Sequence, residues 1–315
     1  MDNIKVSASE GTAKTPLPKR KKHIDKEELA GTLLASVPLV GFVLFGLIPL
    51  IMAFAMAFFK MQDYALDATS KWIGLDNFKF VLTDPMFWES VVNTLILGSS
   101  VLISQVFALV IAYLLSRDIK GKKAFRMIFF IPYVCSVVAI TLMWKYMFNT
   151  NYGIINIIIG RTGDNAIDWL GDSAYFSWAV IIMSVWSGMG YGIILYTAAL
   201  TGVNRAMTEA AEIDGAGPFT KFFKIVLPTI SPTTFYLLVM GIIGALQSFA
   251  VTNVLAQGGG PNGDGITIVF YLYRNVFKYT EMGRASATAW ILAFMILVVT
   301  VLQFVFSKWV NYEND

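Results

Sequence analysis

The stretch SVVNTLILGSSVLISQVFALVIAYLLS, residues 90–116, contains no Asp, Glu, Lys or Arg. About 20 apolar residues suffice for a helix to cross the hydrocarbon core of a bilayer. In lipid every backbone N–H and C=O must be bonded internally, which favours helices over open strands. Five more runs free of those four residue types lie at 29–59, 127–144, 173–204, 225–263 and 285–307. The run 225–263 is too long for one span. Its tail, Gln257-Gly258-Gly259-Gly260-Pro261-Asn262-Gly263, is rich in turn residues, so the helix is expected to end near 255. The pattern predicts an all-α membrane protein with six transmembrane helices, at about 33–59, 91–115, 127–145, 176–200, 229–255 and 285–307.

Composition agrees. Of 315 residues, 56% are apolar and 14% charged, with a mean hydropathy of +0.63, whereas soluble domains carry about 25% charge. A net charge of +3 offers little field for nucleic acid or acidic substrates as the main partner. One Cys excludes an intrachain disulfide, and one Cys with one His excludes a zinc site built on those ligands. No metal ligand set is expected.

Orientation follows the Lys and Arg distribution. With the N-terminus cytoplasmic, the inside segments 1–28, 117–126, 205–224 and 308–315 hold 16 basic residues, and the outside segments 60–89, 145–172 and 264–284 hold 8. The acidic residues divide almost evenly, so the bias is in the cations and both termini are expected inside. Residues 1–28, with Lys19-Arg20-Lys21-Lys22, read as a basic, disordered cytoplasmic tail that sets topology or touches anionic lipid. The rest, 29–315, is the membrane domain. Ala53-Phe54-Ala55 has the shape of a signal-peptidase site, but the apolar run is about twice the usual signal length, which favours an uncleaved first helix.

The spans lack the groups that drive chemistry. Apart from tyrosines and Cys135 they hold nothing ionisable, which argues against ion-coupled transport. Cys135 is expected to be inert packing, and His23 to be solvated in the tail. Gly121-Lys122 has no upstream glycine and no following Ser or Thr, so the chain has no nucleotide-binding P-loop.

Segment 204–232 reads as two short helices about a tight turn. Residues 206–214 are good helix formers, with Glu209 and Glu212 a turn apart; Gly215 suits a left-handed helix end and Pro218 the start of the next helix. Phe219, Phe222, Phe223 and Val226 share one helical face, and Pro228 is expected to stop that helix just before the fifth span. Such a hairpin either docks into a cleft or simply turns the chain. An acidic first helix and a membrane anchor exclude a DNA-reading role.

Glu209-Ala210-Ala211-x-x-Asp214-Gly215-Ala216, followed by Phe222, Ile225 and Leu227-Pro228, resembles the EAA loop of ABC importer permeases. Gly258-Gly259-Gly260-Pro261-Asn262 and Gly283-x-Ala285-x-Ala287 are similar to the maltose/glycerol-phosphate branch of that family. The resemblance covers about residues 70–310. It implies the type I importer permease fold in a bacterial cell membrane, with loop 204–228 as the coupling helix. The contact would be carried by Glu209, Ala210, Ala211, Glu212, Asp214, Gly215 and Phe222. It implies a second homologous permease, an ABC ATPase dimer that uses ATP and Mg, and an extracytoplasmic sugar-binding protein. This chain would be non-catalytic and carry no cofactor of its own.

In the fourth span Ser184, Ser187, Gly188 and Tyr191 fall on one helical face beside Trp186. Hydroxyls, accessible backbone and an aromatic ring suit a neutral polyol. In the maltose-type permease the matching positions line the sugar site; Gly188, Tyr191 and Trp186 keep the family residue, whereas Ser184 and Ser187 depart from it. On the fifth span, Gly241, Gly244, Ala245 and Ser248 share a face, with Gln247 beside it. The glycines read as helix packing, and Gln247 and Ser248 as substrate contacts. Two other readings are weaker: an ATP-independent facilitator or channel for a neutral solute would leave the EAA-like loop without a purpose, and the polar face 184–191 argues against a membrane scaffold without a pore. The loop 257–265 either contacts the binding protein or merely connects.

Overall fold

The computed structural model of the protein describes residues 26–61, 69–117, 119–256 and 258–310. The chain divides into two units, up to Met52 and from Ala53 onward. The tail therefore lies outside the described residues, except that helix already begins at Lys26 rather than after residue 28. The first span comprises α1 (Lys26–Phe42), a π-turn (Val43–Leu47) and α2 (Ile48–Met56). It ends three residues earlier than the apolar run.

Beyond it the second unit departs from a purely helical fold. β1 (Phe59–Lys60) pairs antiparallel with β2 (Lys71–Trp72), Phe59 opposite Trp72. The side-chain amide of Asn77 donates to the carbonyls of Ala57 and Phe59, each at 2.9 Å. These bonds satisfy backbone groups that leaving the helix would otherwise orphan.

Helix α3 (Asp76–Thr83) leads into α4 (Pro85–Ser116), the longest element. Asp84 caps α4 by accepting from Met86 N at 3.0 Å, and Pro85 needs no intrahelical donor at this position. One stripe of α4 is buried, including Thr94, Ser104, Ala108 and Ala112; Leu95, Leu102, Val106 and Phe107 are exposed on the other side, as lipid contact demands. The third span is bent rather than straight. It consists of α5 (Lys122–Val134) and α6 (Val137–Met147), 101° apart. Pro132 removes one rung near the end of α5, and Cys135 and Ser136 are extended, so Ser136 restarts the ladder by accepting from Ile140 N. Cys135 is exposed at this break rather than packed.

A connection containing α7 (Ile154–Ile158) is held by Asn156, which donates to Ile167 O and accepts from Trp169 Nε1 at 3.0 Å. The fourth span, α8 (Ser173–Thr201), is one helix capped by Asp172. It lies against α4 through small residues. A Cβ added to Gly192 would come 2.8 Å from Ala108 Cβ, and one on Gly188 would come 3.3 Å from Ser104 Oγ. Without a hydrophobic drive between helices in lipid, such close approach supplies the van der Waals attraction.

Next come α9 (Arg205–Ile213), α10 (Pro218–Lys221), a π-turn (Phe222–Val226), α11 (Leu227–Thr229), α12 (Ser231–Leu246) and α13 (Ala250–Leu255). Pro228 does not stop the helix. The run from Pro218 passes through it to Thr229 and bends by 68° into α12 at Ile230. The π-turn just before Pro228 shifts the bonding register, so the missing N–H falls where the ladder is already altered. The helix also breaks at Gln247–Phe249, and α13 beyond the break ends at Leu255. Helix α14 (Ile268–Phe277) and the last span, α15 (Met282–Val305), complete the fold. A Cβ on Gly283 would strike Phe59 O, so glycine lets α15 approach the strand, with Ala285 and Ala287 buried beside it. Among the described residues four helices are long and apolar enough to cross a membrane, and up to six spans result if each bent pair counts as one.

Candidate functional site

A cavity of about 470 Å³ opens between α4, α5, α8 and α12, and residues from the 248 break and from Thr267 also line it. That volume lies within the usual range of ligand pockets. Ser184, Gly188 and Tyr191 of α8 line it, as does Ser248. Trp186, Ser187 and Gln247 do not. Trp186 meets Trp144 edge-on at 5.6 Å, Ser187 Oγ donates to Ser184 O at 3.3 Å, and Gln247 is exposed at the helix break. Gly241 and Gly244, both read as packing, differ: a Cβ on Gly241 would meet Val101 Cγ1 at 2.5 Å, whereas Gly244 has open space.

Three tyrosines gather at one wall. Tyr133 stacks on Tyr191 with centroids 5.0 Å apart, and the Tyr191 and Tyr236 hydroxyls are 3.3 Å apart. The sequence reading missed Tyr133 and Tyr236, and it missed the whole contribution of α4. Thr94, Leu97, Gly98, Val101, Ser104 and Gln105 line the cavity. Their spacing of i, i+3, i+4, i+7, i+10, i+11 is a readable one-face signal, carried by a span that is otherwise apolar.

One end of this site is braced by side-chain bonds. Asn93 Nδ2 donates to Gly263 O at 3.0 Å, Asn262 Nδ2 to Ser173 Oγ at 2.9 Å, and Ile268 N to Thr94 Oγ1 at 3.0 Å. The glycine-rich segment 258–265 is therefore tied to α4 and α8. Gly258, Gly259, Gly260 and Gly263 all have φ between +76° and +120°, which accounts for so many glycines there. Tyr271 OH donates to Asp84 Oδ2 at 2.7 Å. Burial, reinforced by that carboxylate, pushes the Tyr271 phenol above its ordinary value.

At the hairpin, α9 is capped by Asn204 through Ala206 N at 2.9 Å, and Gly215 takes φ +79°. Gly215 N bonds to Glu212 O and Ala216 N to Ala211 O at 2.8 Å, closing the helix end. Glu212 pairs with Lys221 across the turn. Glu209, Ala210, Glu212 and Asp214 are exposed and Ala211 is half-buried. The expected single apolar face is split. Val226 is buried and Phe222 meets Tyr113 edge-on at 4.9 Å, but Phe219 and Phe223 are 78% and 59% exposed. The π-turn changes the angular step between residues 222 and 226, which breaks the 3.6 phasing.

A multi-helix fold with long apolar spans, an uncharged cavity and a glycine-hinged acidic hairpin is an arrangement suited to a membrane transport component. Residues 104–312 match the family described as "Binding-protein-dependent transport system inner membrane component", and the chain belongs to it. It is 35% identical over 303 residues to the probable ABC transporter permease protein YesP of Bacillus subtilis strain 168, covering 94% of this chain and 96% of that one. It is 32% identical to the sn-glycerol-3-phosphate transport system permease protein UgpA of Escherichia coli O157:H7, covering 75% and 80%. A bacterial ABC transporter involved in the import of the acidic polysaccharide alginate superposes with a TM-score of 0.78 at 25% identity, covering 91% of this chain and 97% of that one. The bacterial alginate ABC transporter in complex with an alginate pentasaccharide-bound periplasmic protein shares the fold, with a TM-score of 0.77 at 24% identity over 91% and 96% of the two chains.

Proposed function

We propose that this chain is the permease subunit of an ATP-driven ABC importer for a carbohydrate, forming half of the pathway with a second homologous permease. The observation that carries this reading is the hairpin 204–228. Its αL glycine, exposed Glu209 and uncovered Phe219 and Phe223 make a rigid knob with both charge and apolar surface to bury. An ABC ATPase dimer would receive it, and ATP and Mg belong to that partner. Closure of the ATPase would move the knob, and the bent third and fifth spans are elements able to change angle between inward and outward opening. An extracytoplasmic sugar-binding protein would deliver ligand to the cavity at the outer side, and both termini would face the cytoplasm. The membrane is the bacterial cytoplasmic one.

Two measurements test this. Affinity purification from mild detergent should recover an ATPase, a second permease and a sugar-binding protein; recovery of the chain alone would favour an ATP-independent facilitator. Glu209→Lys should abolish ATPase recovery and cut uptake at least tenfold, while the chain still inserts. Wild-type uptake by that variant would sink the coupling role.

A further inference from the structure

The hydroxyls of α4 divide into two sets. Ser90, Thr94, Ser99 and Ser116 return theirs to a carbonyl of the preceding turn at 2.6–2.7 Å, the usual resolution for a hydroxyl in a helix. Ser100 and Ser104 lie on the same helix, 7% and 4% exposed, yet make no hydrogen bond among the described residues. The Gln105 amide makes none either; its Oε1 is buried without a partner beside Gly192 of α8, and its NH2 is the end left accessible. All three line the cavity, as does Ser184 of α8. The two serine hydroxyls are not sealed off, so their unused donors and acceptors open on the cavity, where a bound ligand could pair with them.

The wall's charge is the second observation. Among the described residues lining the cavity there is no Asp, Glu, Lys, Arg or His. On this chain's side of the pathway an anionic ligand would meet no counter-charge, which is unfavourable in a low-dielectric region. A neutral polyol brings only hydroxyls. The Gln105 NH2 offers two donors, and the flanking serines offer one donor each with acceptor capacity. That inventory fits adjacent hydroxyls on one sugar ring.

Resting on the carbohydrate-importer reading, we propose that Ser100, Ser104 and Gln105 form a hydrogen-bonding wall that reads the hydroxyls of an uncharged saccharide and discriminates against acidic ones. The chain would thereby part from relatives whose names carry glycerol phosphate and alginate, both anionic.

The test uses the whole importer, purified with its partners and reconstituted in proteoliposomes. The probes are neutral disaccharides (maltose, sucrose, lactose, melibiose), disaccharides containing one uronate, and glycerol 3-phosphate, with ATP-driven uptake counted for each. At least one neutral sugar should be taken up, and each anionic probe at less than a tenth of its rate. Gln105→Leu should raise KM tenfold or more while kcat changes less than threefold, and Ser104→Ala should raise KM about threefold. Ser99→Ala, whose hydroxyl is already bonded to Ile96 O, should leave uptake unchanged. Co-purification of the ATPase at the wild-type ratio verifies assembly of each variant; should Gln105→Leu fail to assemble, Ser104→Ala decides. Wild-type KM in the assembled variants, or uptake of an anionic probe at parity with the neutral ones, overturns this proposal while leaving the importer standing. ATP-dependent uptake of no sugar at all overturns the importer reading, and the proposal with it.

Discussion

Single atoms decide where helices can meet in this fold. Gly190 of α8 is buried, and a Cβ there would strike Phe129 O and come 3.2 Å from Phe130 Cα. The obstruction is backbone, which no rotamer change relieves. Gly190→Ala should therefore destabilise the chain by about 1–3 kcal/mol, the usual cost of overpacking. Gly244 provides the contrast, since nothing lies within 4 Å of its added Cβ. Thermal unfolding in detergent should show a lowered Tm for Gly190→Ala and an unchanged or slightly raised one for Gly244→Ala, because alanine is the better helix former. Equal Tm values would refute the close α5–α8 approach. Both residues are glycines in apolar spans, so sequence alone gave no means of telling them apart.

At the scale of elements, the bond from Tyr271 to Asp84 joins α14 to the N-terminus of α4. Tyr271→Phe removes the donor and leaves Asp84 still capping Met86 N. A hydrogen bond to a charged acceptor contributes about 1.5–3 kcal/mol, so the variant should unfold at lower temperature. The folded phenol is raised above its unfolded value of 10.0. The stability this contributes is complete below about pH 10 and is lost as the pH climbs beyond it, because the unfolded chain ionises first. Wild-type Tm should fall above pH 10 more steeply than that of Tyr271→Phe; parallel curves would deny Tyr271 this role.

The elements also show what a linear reading can reach. The hairpin was legible because each of its signals is local: a helix former run, a glycine at the left-handed position, a proline at the next helix start. The bends at 135–136 and 230 were not, because an apolar run looks the same whether its helix is straight or folded by 101°. The π-turn at 222–226 likewise leaves no residue signature. Half of the cavity was legible on α8, where serine, glycine and tyrosine stand out among apolar residues. The other half on α4 carried the same one-face spacing, but its hydroxyls did not mark a cavity, since Ser100 and Ser104 could equally have bonded their own helix as Ser99 does.

For the whole molecule, charge sets direction, and direction decides whether the hairpin can meet an ATPase at all. The two-to-one excess of basic residues on one set of loops predicts that 205–224 is cytoplasmic and 264–284 outside. Cys135 is the sole cysteine, so Cys135→Ser gives a clean background for labelling. Ala206→Cys, at the exposed start of α9, and Lys278→Cys, at the exposed end of α14, then report the two faces. In intact spheroplasts a membrane-impermeant maleimide should modify Lys278→Cys and leave Ala206→Cys unmodified until the membrane is opened. The reverse pattern would put Glu209 outside, where no nucleotide-driven partner could reach it, and the importer mechanism would fall with the topology. Labelling of both from one side would mean an odd number of membrane crossings between residues 206 and 278 is wrong, and that α12 with α13 re-enters rather than spans.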